Sequence, residues 1–155
     1  RENDIVVNIK TIIQSDEELS NGYENIRSII GIGELGAIVL LHLFLKYPDA
    51  NKKQIISLVG LDPTRFDSGS SVHKKSKISK AGAKIYRGVL FMGAMMATRC
   101  NPEMKIFYDR LKENGKQTTQ AQIAVMRKMI TIAHSLYKNK QKYSSNVYQK
   151  ACGVL

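Results

Sequence analysis

Ile29-Ile30-Gly31-Ile32-Gly33-Glu34-Leu35-Gly36-Ala37 is the stretch that decides the fold. Apolar residues alternate with glycines just before a long apolar run, Leu35 to Phe44, so the glycines fall at the N-terminal edge of a helix. That is the layout of a helix-hairpin-helix. Glycines let the backbone turn sharply, and the free amides at the start of the second helix, with the positive end of its dipole, can face one phosphate. Such a contact reads no base edge and carries no sequence preference. The same residues also suit a plain tight turn between two helices, the second of them buried.

Upstream, Asp4 to Ile13 reads as a helix whose Ile5, Val6, Ile9, Ile12 and Ile13 make one apolar stripe. Ser15-Asp16-Glu17-Glu18 is a capping-box pattern, and Asn21-Gly22 is expected to break the chain again. Residues 1–22 therefore read as a helical linker or the end of a coiled coil, and residues 23–155 as the domain proper. The chain opens at Arg1 inside a helical pattern, and it is expected to be part of something longer. The hairpin spans 23–47: Tyr23 to Ile30 is its first helix and Glu34 to Tyr47 its second, ended by Pro48.

Downstream, Asn51 caps a short helix through Val59, and Gly60 stops it. Leu61 to Ile78 keeps no period and is rich in Asp, Pro, Ser and Gly, which predicts a long loop of the kind that often carries function. Ser79 is expected to cap a central helix from Lys80 to about Arg99, rich in small residues. Pro102 fits the first turn of the next helix, which runs to Asn114 and stops at Gly115. Thr118 or Thr119 would cap the last helix, through about Lys138. The predicted fold class is all-α.

Charge narrows the partner. Residues 1 to 45 carry 3 basic and 7 acidic side chains, whereas residues 46 to 155 carry 21 basic and 6 acidic, for net values of -4 and +15. A domain this basic attracts polyanions, and binding is expected to weaken as salt rises. DNA is the expected partner. A membrane surface is the rival polyanion, but the cations are dispersed over several helices rather than set opposite bulky aromatics along one face, so no membrane contact is expected. Cys100 and Cys152 have no CxxC spacing, and His42, His73 and His134 lie far apart, which argues against a zinc site and leaves no expected metal ligands. With no signal pattern and no apolar run long enough to span a bilayer, the expected location is the reducing cytoplasm.

Ser68-Gly69 lies in the loop Asp62-Pro63-Thr64-Arg65-Phe66-Asp67-Ser68-Gly69-Ser70-Ser71, ahead of Lys74, Lys75, Lys77, Lys80, Lys84 and Arg87. A serine attacks a phosphodiester only when the phosphate charge is neutralised and the hydroxyl is activated. The cations can meet the first need. Asp62 and Asp67 are single acids, with no acidic cluster to hold magnesium, so nothing here clearly meets the second. On chemistry alone a Ser-Gly pair in a loop is more often a turn than a nucleophile, and a basic run is more often a solvated face. The concentration of charge between Arg65 and Arg87, 7 basic residues against 1 acidic, favours a phosphate track.

The order of motifs adds a further reading. Ile29 to Gly33, Gly60-Leu61-Asp62-Pro63, Ser68-Gly69, Ile78-Ser79-Lys80-Ala81-Gly82, Arg87, Phe107-Tyr108-Asp109-Arg110-Leu111-Lys112, Gly115-Lys116 and Ala121 to Arg127 together resemble the C-terminal domain of the IS-one-ten class of bacterial insertion-sequence transposases, whose relatives include the pilin-gene invertases. The resemblance covers roughly residues 24 to 143. It implies a DNA recombinase in which a RuvC-like N-terminal domain holds Mg2+ on an acidic quartet, a coiled coil follows, and the C-terminal domain joins DNA covalently through a serine. It further implies guidance by a structured bridge RNA and action as a homo-oligomer. On it, Ser68 becomes the expected nucleophile, with Ser70 or Ser71 as neighbours that could replace it. Lys80 and Arg87 match the family's basic positions and become phosphate contacts, and Gly31 and Gly33 match its hairpin; the charge reading adds Arg65, Lys74, Lys75, Lys77 and Lys84 as expected DNA contacts. Gly82 reads as structural. The chain departs from the family pattern at Ile30, where proline is frequent, and at Ala81, where arginine is frequent. This part alone is expected to be inactive without the acidic domain. The alternative is a non-catalytic helix-hairpin-helix module that grips DNA for a partner enzyme.

Overall fold

Helix starts and stops are written locally in most of this chain, and the computed structural model, which describes residues 2–64 and 77–146, follows them closely. The fold is all-α: seven helices and one two-residue ladder among the described residues. Helix α1 (Glu2–Gln14) turns Val6, Ile9 and Ile13 toward the core, at steps of three and four. Ile5 and Ile12, expected on the same stripe, are instead exposed.

Helix α2 (Glu17–Arg27) starts where Asp16 accepts the Leu19 amide at 2.9 Å. The break expected at Asn21-Gly22 does not occur, and α2 runs unbroken across that position. Gly22 serves packing instead: a Cβ there would meet the Tyr137 ring at 3.0 Å and Leu41 at 3.2 Å, so the missing side chain lets α2 settle against its neighbours. The first hairpin helix accordingly ends at Arg27 rather than Ile30.

Helix α3 (Glu34–Lys46) buries seven of its thirteen residues, among them Leu40, Leu43 and Phe44, and forms the centre of the core. Helix α4 (Lys52–Val59) has the expected ends. Asn51 Oδ1 accepts the Gln54 amide at 3.0 Å, Gln54 Oε1 accepts the Asn51 amide at 2.8 Å, and Gly60 closes the helix.

The described ends of the loop expected from Leu61 to Ile78 form a short ladder. Strand β1 (Pro63–Thr64) pairs antiparallel with β2 (Lys77–Ile78), with Pro63 opposite Ile78 and Thr64 opposite Lys77. Helix α5 (Lys84–Cys100) starts four residues later than expected, and Ser79 does not cap it. The reason is a remote partner: the Ser79 hydroxyl donates to Asp62 Oδ1 at 2.5 Å, and its amide donates to the Asp62 carbonyl at 2.9 Å. The chain from Lys80 to Gly82 is thereby drawn against the end of α4. Helix α5 packs on α3, α6 (Pro102–Glu113) and α7 (Thr118–Asn139), as its small residues suggest. Asn101 caps α6 with Pro102 in the first turn, and Gly115 follows it with a φ of 77°. The N-cap of α7 is Gln117, which forms a capping box with Gln120, rather than either threonine.

Beyond α7 the chain returns to the hairpin. The Tyr143 amide donates to Ser28 Oγ at 2.7 Å, its hydroxyl donates to Glu103 Oε2 at 3.1 Å, and Asn101 Nδ2 donates to the Ile30 carbonyl at 3.2 Å. These bonds fix the hairpin turn to the corner between α5 and α6.

Candidate nucleic-acid interface

The two hairpin glycines have different surroundings. Gly31 has a φ of 111°, and a Cβ on it would stand 2.7 Å from the Ala97 Cβ and 2.8 Å from the Gly93 carbonyl oxygen. It turns inward, onto α5. Gly33 is exposed, ordinarily extended, and has no atom within 4 Å of where a Cβ would lie. It begins α3 without a side-chain cap, so the first amides of that helix lack one internal partner. Glu34 stands beside them and forms an ion pair with Lys10 of α1. Its hydrogen bond to Lys10 holds the Glu34 carboxyl below its usual range, and the same bond raises Lys10. A phosphate at this end of α3 would therefore meet a carboxylate whose charge Lys10 offsets. The sequence carried no signal for that pair.

A second assembly fastens both ends of the segment that carries Ser68. Thr64 Oγ1 donates to the Lys77 carbonyl at 2.9 Å, the Lys80 amide donates to the Gly60 carbonyl at 3.0 Å, and Asp62 and Ser79 join as described. Gly82 sits at a φ of 71° with its α-carbon face against Leu58, where a Cβ would collide with the carbonyl oxygen. Arg87 completes the assembly. Its Nη1 donates to the Val59 carbonyl at 2.9 Å and the Ala81 carbonyl at 2.7 Å, with the Gly82 carbonyl at 3.4 Å. The head group expected to meet phosphate is thus engaged with backbone. Ser68, Ser70, Ser71, Arg65, Lys74 and Lys75 lie outside the described residues.

Of the remaining expected cations, Lys77, Lys80 and Lys84 are exposed. Lys80, Lys84 and Arg87 line one groove of about 540 Å³ between β2, α5 and the start of α7, with Phe91 and Ile123 in its wall. Among the described residues no acidic side chain lines it. The polar groups at its far side are Thr119 and Gln122, and Gln122 Nε2 donates to the Phe91 carbonyl at 3.4 Å. Phe91 and Gln122 escaped the sequence reading because both fall at core-like spacings on their helices.

Residues 23–109, more than half of the chain, match the family model described as Transposase IS116/IS110/IS902 family. The chain belongs to that transposase family. It is 30% identical over 143 residues to the pilin gene-inverting protein of Moraxella bovis, covering 89% of this chain and 44% of that protein. The pilin gene-inverting protein of Moraxella lacunata matches to the same extent. An insertion element IS110 protein of 43.6 kDa from Streptomyces coelicolor is 28% identical over 123 residues, covering 77% of this chain and 30% of that protein. The chain thus spans less than half the length of these relatives. Within the transposase domain, the matched residues reach from the middle of α2 into α6, and so include the hairpin, the Asp62–Ser79 fastening and Arg87. No helix of the described part is long and apolar enough to cross a membrane.

Proposed function

We propose that this domain binds DNA and supplies Ser68 as the nucleophile for strand cleavage and exchange in a transposase that recombines DNA. The observation that carries the reading is the fastening at the base of the Ser68 segment, where a ladder, an Asp62–Ser79 bond and the Arg87 guanidinium all act on the two ends of one loop. Three exposed lysines flank it, where they can offset phosphate charge. In the cleavage step the Ser68 Oγ forms a bond to phosphorus and the bond from phosphorus to the departing sugar oxygen breaks. The serine proton passes to a base, and the sugar oxygen takes up a proton. Exchange reverses these steps onto a new strand.

Membership of the family extends the proposal to the longer protein: Mg2+ in a RuvC-like domain, a bridge RNA as guide, and a homo-oligomer that brings several active centres to two DNA sites. Among the described residues no three His, Cys, Asp or Glu side chains converge, so the residues that would hold Mg2+ are sought in the longer protein. Incubating the natural gene product, its guide RNA and a cognate DNA, then denaturing in detergent, tests the reading. A DNA adduct is expected from the parent and from Ser70→Ala, and none from Ser68→Ala. The reverse pattern would move the nucleophile to Ser70.

The second reading, a non-catalytic module that grips DNA, is favoured by the start of α3 at Gly33, which no side chain caps, and by the lysine-lined groove, which can bind without any nucleophile. It predicts binding that vanishes at high salt and leaves no adduct.

A further inference from the structure

The lysine-lined groove adjoins a second depression, and one aromatic ring divides them. Phe91, 45% exposed, lines both the 540 Å³ groove with Lys80 and Lys84 and a 460 Å³ depression with Arg99 and Tyr108. Thr119 and Gln122 border both hollows. Asp109, the carboxylate among the described residues of the second hollow, is paired with Lys105 at 2.6 Å. Cations therefore stand at both ends of a track whose middle is an exposed ring.

We propose that this track binds an unpaired nucleotide strand, with one base stacked on Phe91 and the flanking phosphates held by Lys80 and Lys84. The inference rests on the DNA-binding reading above and goes beyond it by naming a single-strand subsite. Two properties select an unpaired strand over a duplex. A duplex offers its phosphates outward and hides its base faces, so it can use the lysines but not the ring. An unpaired strand offers both, and alternation of basic groups with aromatic faces is how such strands are held irrespective of sequence. Each hollow has the volume of a small-ligand site, and the exposed hydroxyl of Thr119 on their shared border gives the edge of a base something to bond.

The position of Lys80 agrees. It holds a left-handed backbone, with a φ of 55°, that residues bearing a side chain adopt under strain, and its amide bond to Gly60 keeps it there. The strain sets a lysine at the mouth of the groove, two residues beyond the ladder from which the Ser68 segment departs. A strand lying in the track would thus lead toward that segment.

The chain contains no tryptophan, which makes Phe91→Trp a clean reporter. Titrated with a twelve-nucleotide oligothymidylate, the introduced indole is expected to be quenched, and Phe91→Ala to lose about tenfold or more in affinity for that strand. Duplex affinity should fall far less than strand affinity in Phe91→Ala, and a thermal melt confirms that the variant is folded. An oligouridylate arm tells whether RNA or DNA is the preferred source of the strand. Equal losses on duplex and single strand, or a strand that binds without quenching the indole, would overturn the subsite while leaving duplex binding intact. If the parent binds no duplex yet the strand still quenches the indole, the subsite stands and the duplex reading fails.

Discussion

Ser79 and Asp62, 17 residues apart, are joined by a hydroxyl-to-carboxylate hydrogen bond of 2.5 Å, backed by an amide-to-carbonyl bond between the same two residues. The pair closes the base of the loop that holds Ser68. Replacing Ser79 by alanine leaves a half-buried carboxylate without its donor, a loss of about 1–3 kcal/mol. Asp62→Asn keeps an acceptor and should cost less. Urea unfolding measures both, and in the natural gene product Ser79→Ala should slow adduct formation more than it weakens DNA binding. An unchanged adduct rate in a destabilised Ser79→Ala protein would show that the base does not position the loop.

The hairpin glycines should separate cleanly. Alanine at Gly31 must accept a positive φ and a 2.7 Å approach to Ala97, so Gly31→Ala should cost about 2–4 kcal/mol. Alanine at Gly33 meets neither obstacle, and Gly33→Ala should stay within about 0.5 kcal/mol of the parent. Comparable melts for the two variants would contradict the inward orientation of Gly31.

Sequence signals predicted well wherever the partner lies within one turn. Asn51, Pro102 and the glycines at 60 and 115 all act on their own helix, and each end formed where expected. Signals failed where a distant atom won. Ser79 has the chemistry of a cap but bonds Asp62 instead, and Gly22 has the chemistry of a breaker but admits the Tyr137 ring. Ile12 fits the apolar stripe of α1 yet faces outward, because only Val6, Ile9 and Ile13 reach the core. For the site, the local run of cations was legible, whereas the division of labour within it was not: Arg87 and Lys84 look alike in sequence and differ in what surrounds them.

That difference is measurable. The Arg87 guanidinium bridges the carbonyls of Val59 and Ala81, and an ammonium cannot reproduce the planar reach, so Arg87→Lys should destabilise the fold by about 2 kcal/mol. It keeps the charge, and the dependence of DNA affinity on salt should be unaltered. Lys84→Ala should do the opposite, leaving the melt near that of the parent while reducing the salt slope by about 1. A salt slope lowered by about 1 in the charge-removing Arg87→Gln, measured where that variant is folded, would place the guanidinium on phosphate after all.

His134 gives the fold a pH dependence of its own. The imidazole is buried on α7, edge-on to Phe44 at 5.3 Å. Burial first, and then the charges of Lys138 and Lys52, push its pKa below the ordinary 6.5, against an opposing pull from the Ala50 backbone. The unfolded chain therefore binds a proton that the folded chain refuses. Stability is full above the unfolded value of 6.5 and is lost as pH falls from there through the lowered folded value. Urea midpoints taken from about pH 7.5 to about pH 5.5 should fall for the parent. In His134→Leu the drop should be much smaller, since a side chain of similar reach fills the site against Phe44 without titrating. A parent midpoint that stays level across this interval, or a leucine variant that declines in step with the parent, would remove His134 as the source.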